Sequence, residues 1–305
     1  DRRHLFDSCF RLTRRLLSVA AAVSGIASVH SAERWTLVGK EMEVVRDSTS
    51  GKEVIYFTNA AYQNGIFYPH ARGWSGDSRY LWFTSTRPRP DGKLILGETQ
   101  LMAVDTQSGE LYWLATLVGD ANFPNREIFH HADYSPGTGT IVFFDMRERD
   151  LYALRLADGT VSRLLRLEDG LFGPPPSLTE DGRRVVFWAK FKGPGPNAFF
   201  KGTTHGAFYI DLDETGTKAI GPARMVISYP TRIIPDATEA LRDHINITHA
   251  QVNPHDRDLI AYCHGSYAYP DGSGHLSRMW QVRSDGSNDG VILPTPAGRY
   301  HTHEL

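Results

Sequence analysis

A repeated unit constrains this chain more than any other feature. A turn carrying Asp or Gly leads into a short β-rich run that closes on aromatic or bulky apolar side chains. It reads WSGDSRYLWF from Trp74 to Phe83 and YSPGTGTIVFF from Tyr134 to Phe144. It returns as LTEDGRRVVF from Leu178 to Phe187 and as VNPHDRDLIAY from Val252 to Tyr262. A second hairpin follows each copy. Leu101–Asp105 turns through Ser108-Gly109 into Leu111–Leu114, and Leu151–Leu156 turns through Asp158-Gly159 into Val161. Ala207–Asp211 and Met279–Arg283 open the other two. Ser-Gly, Asp-Gly and Thr-Gly pairs suit such turns because they tolerate positive φ. Alternation along each run marks half-buried strands.

Two hairpins per unit, at a spacing of about 45 residues or more, is the arithmetic of a propeller blade. The expected fold class is therefore all-β, a β-propeller of four-stranded blades. Four blades run from about Phe67 to Leu293, and His301-Thr-His303 opens a fifth. Glu43 to Thr58 reads as strand, Ser-Thr-Ser-Gly turn and strand, which suits the outer part of a blade completed elsewhere in the ring. Four blades and two stubs leave unpaired sheet edges, so the natural chain is expected to continue past Leu305. Two inserts stand out, about Pro222 to Asn246 and the Gly193-Pro-Gly-Pro-Asn197 segment. The first carries a short helical stretch at Thr238–Asp243. Each insert is either a lid on the working face or a neutral surface insertion.

Arg11, Arg14 and Arg15 precede an apolar run from Leu16 to Val29, and Ser31 and Ala32 follow. This is the order of a secretory signal, and the run is too short for a stable membrane span. Residues 1–32 are therefore expected to form an export segment and 33–305 a partial propeller, periplasmic or secreted. Residue 1 is Asp rather than Met, so the true start is expected to lie elsewhere. With 33 basic and 35 acidic residues, the chain lacks the basic footprint of a nucleic-acid binder. Cys9 falls in the export segment, which leaves Cys263 as a small buried hydrophobe in a strand.

Several chemistries are missing. Gly73-Trp-Ser75-Gly76 lacks the last glycine of a nucleophile elbow, and no Walker A or dinucleotide fingerprint occurs. Histidine is the conspicuous residue, at 13 in the chain. His70, His130, His131, His249, His264, His301 and His303 flank the repeat strands. In a propeller such positions face the central channel, where imidazoles bind a metal or an anion or move protons.

From His249 onward the pattern is more specific. Thr248-His249, Ala261-Tyr-Cys-His264-Gly265, Ser277-Arg278-Met279-Trp280, Ser284-Asp-Gly-Ser-Asn288 and Thr302-His303-Glu304 follow in order. This stretch resembles the oligogalacturonate lyase family, whose pattern is roughly GHP, FCHEG, ARMW, DGSN and THE. The specific motifs cover about a fifth of the chain; upstream it resembles the family and TolB-like propellers only diffusely. The resemblance implies a seven-bladed propeller that cleaves short pectic oligogalacturonides by β-elimination. It implies His303 as general base, Arg278 as catalytic arginine, and His249 and His264 as residues lining the substrate cleft; His70, one of the strand-flanking histidines, is a further substrate-binding candidate. It also implies a divalent cation, manganese in the family, held by a further histidine and a Gln-x-x-His-x-His cluster. No such cluster lies within residues 1–305, so no metal is expected on this stretch and the stretch alone is not expected to be active. Gly265 and Ser266 stand where the family has Glu and Gly, and the loop before Arg278 is longer. The rivals are a non-catalytic TolB-like propeller that binds a protein or glycan, and a lyase for another uronic polymer.

Overall fold

The computed structural model describes residues 35–59, 61–68, 71–95, 98–118, 132–145, 149–167, 170–192, 203–228, 247–264 and 279–293. All of them belong to one compact unit, Glu33–Leu305. Among the described residues every regular element is a β-strand. No helix there is long and apolar enough to cross a membrane.

Each of the four two-hairpin units forms one antiparallel sheet. The first holds β4 (Asn64–Ile66), β5 (Tyr80–Ser85), β6 (Glu98–Asp105) and β7 (Glu110–Val118). The second holds β8 (Ala132–Ser135), β9 (Thr140–Asp145), β10 (Asp150–Arg155) and β11 (Thr160–Arg166). The third holds β12 (Gly170–Leu178), β13 (Arg184–Lys192), β14 (Thr203–Asp211) and β15 (Arg224–Ser228). The fourth holds β16 (Ile247–Val252), β17 (Leu259–His264), β18 (Met279–Arg283) and β19 (Gly290–Leu293). In all four, strands neighbour one another in chain order. Two elements precede them. β1 (Thr36–Lys40) adds a fifth strand to the first sheet by pairing with β7. β2 (Glu43–Arg46) and β3 (Glu53–Tyr56) form the predicted hairpin, as a separate two-stranded sheet.

Arg224–Ser228 corrects the sequence expectation, which put these residues in an insert. The run Arg-Met-Val-Ile-Ser is short and does not alternate, yet after the turn at Thr215-Gly216 it pairs with β14 and completes the third sheet. The rest of that insert from 229 to 246, and the Gly193–Asn197 segment, lie outside the described residues.

The turns explain why these sequences reverse where they do. In the β6–β7 turn the Asp105 carboxylate accepts the Gln107 and Ser108 amides at 2.9 and 3.1 Å. The Gly109 amide then donates to the Asp105 carbonyl at 2.7 Å. Gly109 has φ +75°, and a Cβ there would meet Met42 at 2.5 Å, so both conformation and space require glycine. The β2–β3 turn repeats the device, with Asp47 accepting from Thr49 and Ser50 and the Gly51 amide returning to the Asp47 carbonyl.

Period-two alternation divides each central strand between two cores. On β6, Leu101 and Ala103 pack with β9 residues Ile141 and Phe143, while Met102 and Val104 face the other way, towards Phe57. On β9 the complementary pair, Val142 and Phe144, packs with Val185, Phe187 and Ala189 of β13. On β13, Val186 turns to the fourth sheet and meets Ile247, Ile260 and Val282. The second and third sheets are thus buried on both faces, each clamped between its neighbours in the chain. Each fully buried large side chain in these layers contributes roughly 1.5–3 kcal/mol. Cys263 is buried on β17, as a small hydrophobe in a strand should be.

Candidate functional site

The pairing register of the fourth sheet gathers the motif segments at one end. Ile247 lies opposite His264, Thr248 opposite Cys263, and Cys263 opposite Met279. The first residues of β16, the last of β17 and the first of β18 therefore share one end of the sheet. These three segments carry the motifs Thr248-His249, Cys263-His264 and Met279-Trp280.

His249 sits in a β-bulge. The register jumps from Thr248↔Cys263 to Gln251↔Ala261, so His249 and Ala250 together oppose Tyr262. The extra residue lets Ala250 sink fully into the core between the third and fourth sheets while His249 stays half-buried. His249 has φ +49°, a left-handed conformation that is uncommon for a residue with a Cβ. Bulges and such backbone outliers concentrate where a side chain has to be aimed. Its Nδ1 lies 3.0 Å from the Thr248 hydroxyl, which fixes the ring's orientation about one nitrogen.

The neighbour of that ring comes from the first sheet. The Tyr68 ring centroid is 5.5 Å from that of His249, with the planes tilted by 44°. Tyr68 follows β4, and its position is fixed from both sides. Phe67 is buried in the core between the first and second sheets. Beyond it, the Ala71 amide donates to the Tyr68 carbonyl at 2.7 Å. Arg72 then anchors the segment, with its Nε on the Tyr134 carbonyl (2.8 Å) and its Nη2 on the Leu178 carbonyl (2.7 Å). On the other side, the Val252 amide donates to Ser177 Oγ at 3.2 Å and ties β16 to β12.

Of the predicted site residues, only His249 has a described side chain. His264 closes β17 opposite Ile247, and its side chain lies outside the described residues. His303, Arg278 and His70 also lie outside them. Tyr68 was missed by the sequence analysis, which stopped at His70 two residues later. Its signal is weak: an aromatic two residues after the short strand β4. Among the described residues, no group of three or more His, Cys, Asp or Glu side chains converges to hold a metal ion. The described residues at this end of the fourth sheet do not by themselves fit a manganese centre.

No family model matches the sequence. No curated protein sequence matches it either. Solved structures do match. An oligogalacturonate lyase in complex with manganese superposes with a TM-score of 0.63 at 15% identity, over 87% of this chain and 62% of the other. The oligogalacturonate lyase of Vibrio parahaemolyticus gives 0.61 at 16% identity, over 85% of this chain and 61% of the other. TolB from Acinetobacter baumannii gives 0.46 at 12% identity, over 86% and 53%. The chain thus has the fold of the corresponding part of the two lyases and spans about three fifths of their length.

Proposed function

We propose that this chain is part of a seven-bladed β-propeller lyase that cleaves short oligogalacturonides by β-elimination outside the cytoplasm. Its four-stranded sheets are then blades, and the end of the fourth sheet that carries His249 and leads into β18 is the substrate cleft. Two observations support it. The fold matches that of oligogalacturonate lyases, and the segments Thr248-His249, Cys263-His264 and Met279-Trp280 meet at one end of one sheet.

The chemistry asks for few groups. The C5 proton of a uronide is weakly acidic until charge on the adjoining carboxylate is offset. In this proposal the Arg278 guanidinium offsets it, stabilising the enolate that develops as the proton leaves. The neutral His303 imidazole takes the proton. The electron pair closes the C4–C5 double bond, the C4–O glycosidic bond breaks, and the departing oxygen gains a proton. His249, His264 and His70 contact the sugar. A divalent cation, manganese by analogy, would need ligands other than the described residues. It would supply further neutralisation of the carboxylate.

The test is ultraviolet detection of the unsaturated product from di- and trigalacturonate, using the full-length protein. His303→Ala and Arg278→Ala should each lower the rate by about 100-fold or more, the usual scale for a lost proton-transfer group. Full activity in either variant removes that assignment. Absence of product from the wild type, on any uronide of a panel, removes the proposal.

A further inference from the structure

Tyr68 lies outside the family motifs, yet its ring is the described aromatic neighbour of His249, the one histidine among the described residues with a positive φ. We infer that Tyr68 and His249 form one composite platform on which a single uronide ring packs, with Tyr68 as a positioning and specificity-determining residue of the cleft. The inference rests on the uronide-lyase proposal and adds a residue to it.

Three observations carry it. The two rings come from different sheets, one after β4 and one in the β16 bulge, so their contact exists only while the first and fourth sheets are held in register. Both residues are half-buried, so neither is closed off from solvent. Each is held by interactions independent of the other. His249 is held by Thr248 and its bulge, Tyr68 by the buried Phe67 before it and the Ala71 amide after it. Two fixed rings at 5.5 Å with a 44° tilt make a shallow trough rather than a stack. A pyranose presents apolar C–H groups on a ring face and hydroxyls at its edge. It fits a trough that offers an aromatic surface from tyrosine and a polar edge from imidazole. Because the rings are already positioned, little conformational entropy is lost when the sugar binds.

The experiment measures trigalacturonate binding to the full-length protein by calorimetry, with the His249 ring resonances followed by NMR. In the wild type, trigalacturonate should bind and shift those resonances. Tyr68→Ala should weaken binding by about ten-fold, equal to about 1.4 kcal/mol. Tyr68→Phe keeps the ring and should stay within about two-fold of wild type, the scale of a minor polar contact. In turnover assays Tyr68→Ala should raise KM while leaving kcat nearly unchanged, the signature of binding lost equally from ground and transition states. If the wild type binds and Tyr68→Ala binds equally well, the platform is wrong and the lyase proposal stands. If Tyr68→Phe falls as far as Tyr68→Ala, the hydroxyl rather than the ring matters and the platform is again wrong. If the wild type binds no trigalacturonate, both fall.

Discussion

The sheets are joined at two seams built from the same residue types in opposite ways. At the inner seam, the Asp133 carboxylate on β8 is 2% exposed and satisfied by backbone. It accepts the Arg72 amide at 2.8 Å, the Tyr134 amide at 2.9 Å and the Leu178 amide at 2.6 Å. Three sheets meet at one side chain. At the rim seam the centre is a cation. Arg184 at the start of β13 donates to Asp211 (2.7 Å), Asp258 (2.8 Å) and the Arg257 carbonyl (2.8 Å), and its guanidinium lies 4.1 Å over the Tyr209 ring. Arg257 returns to Asp211 at 2.7 Å. The difference teaches where each solution works. At Asp133 the hydrogen bonds come from backbone amides. Near solvent, paired charges span the wider gap between sheets.

The largest expected effect follows from the inner seam. Asp133→Ala leaves three backbone amides without their acceptor in a dry place, with the Arg72 charge nearby. It should cost about 3–5 kcal/mol of unfolding free energy, the scale for breaking a buried charged network. Denaturant unfolding of the full chain measures it. A loss below about 1 kcal/mol would mean that water or a rearrangement replaces the carboxylate.

Arg184→Met tests the rim in the same way and should cost less, about 1–3 kcal/mol. Its partners keep other donors, since Asp211 retains Arg257 and Asp258 retains the Ser284 hydroxyl at 2.6 Å. The methionine also keeps apolar contact with the Tyr209 ring. If this variant proved as damaging as Asp133→Ala, the contrast between the seams would fail.

The seams also mark how far the sequence could be read. The repeat and its turns were legible because they are local. Asp105 and Ser108-Gly109 specify their reversal within five residues, and each predicted two-hairpin unit forms one sheet. The motif segments were legible, and the register of the fourth sheet brings two histidine-bearing ones together with Met279-Trp280. What could not be read is long-range. The pairing of β1 with β7 joins Thr36 to Trp113, and nothing near Thr36 announces it. Arg224–Ser228 shows no period-two alternation, with Met225 exposed and Ile227 buried across a bulge, so the strand reads as insert. His249 adopts φ +49° without being Gly or Asn, because a tertiary demand, Ala250 in the core, overrides local preference. Tyr68 escaped notice for the same reason: its partner lies two sheets beyond the next.

The smallest effect separates the seams by pH. The Asp133 carboxyl is raised by burial, which outweighs the charge of Arg72 and the amides it accepts. At Asp211 burial also acts upward, but hydrogen bonding and charge from Arg184 and Arg257 overcome it and hold the carboxyl below its ordinary range. Asp258 is lowered too, first by the Ser284 hydroxyl and then by Arg184. A carboxyl depressed in the folded state contributes stability that is present above the unfolded value, about 3.9, and lost as pH falls through the folded one. A raised carboxyl does the reverse, since protonation relieves its burial. Acidification below about pH 4 should therefore loosen the rim and spare the inner seam. Amide exchange should show peptides around Arg184 and Asp258 losing protection at a higher pH than the peptide containing Leu178. Simultaneous loss at both would mean that the sheets separate as one unit, and that the two kinds of joint differ in chemistry but not in consequence.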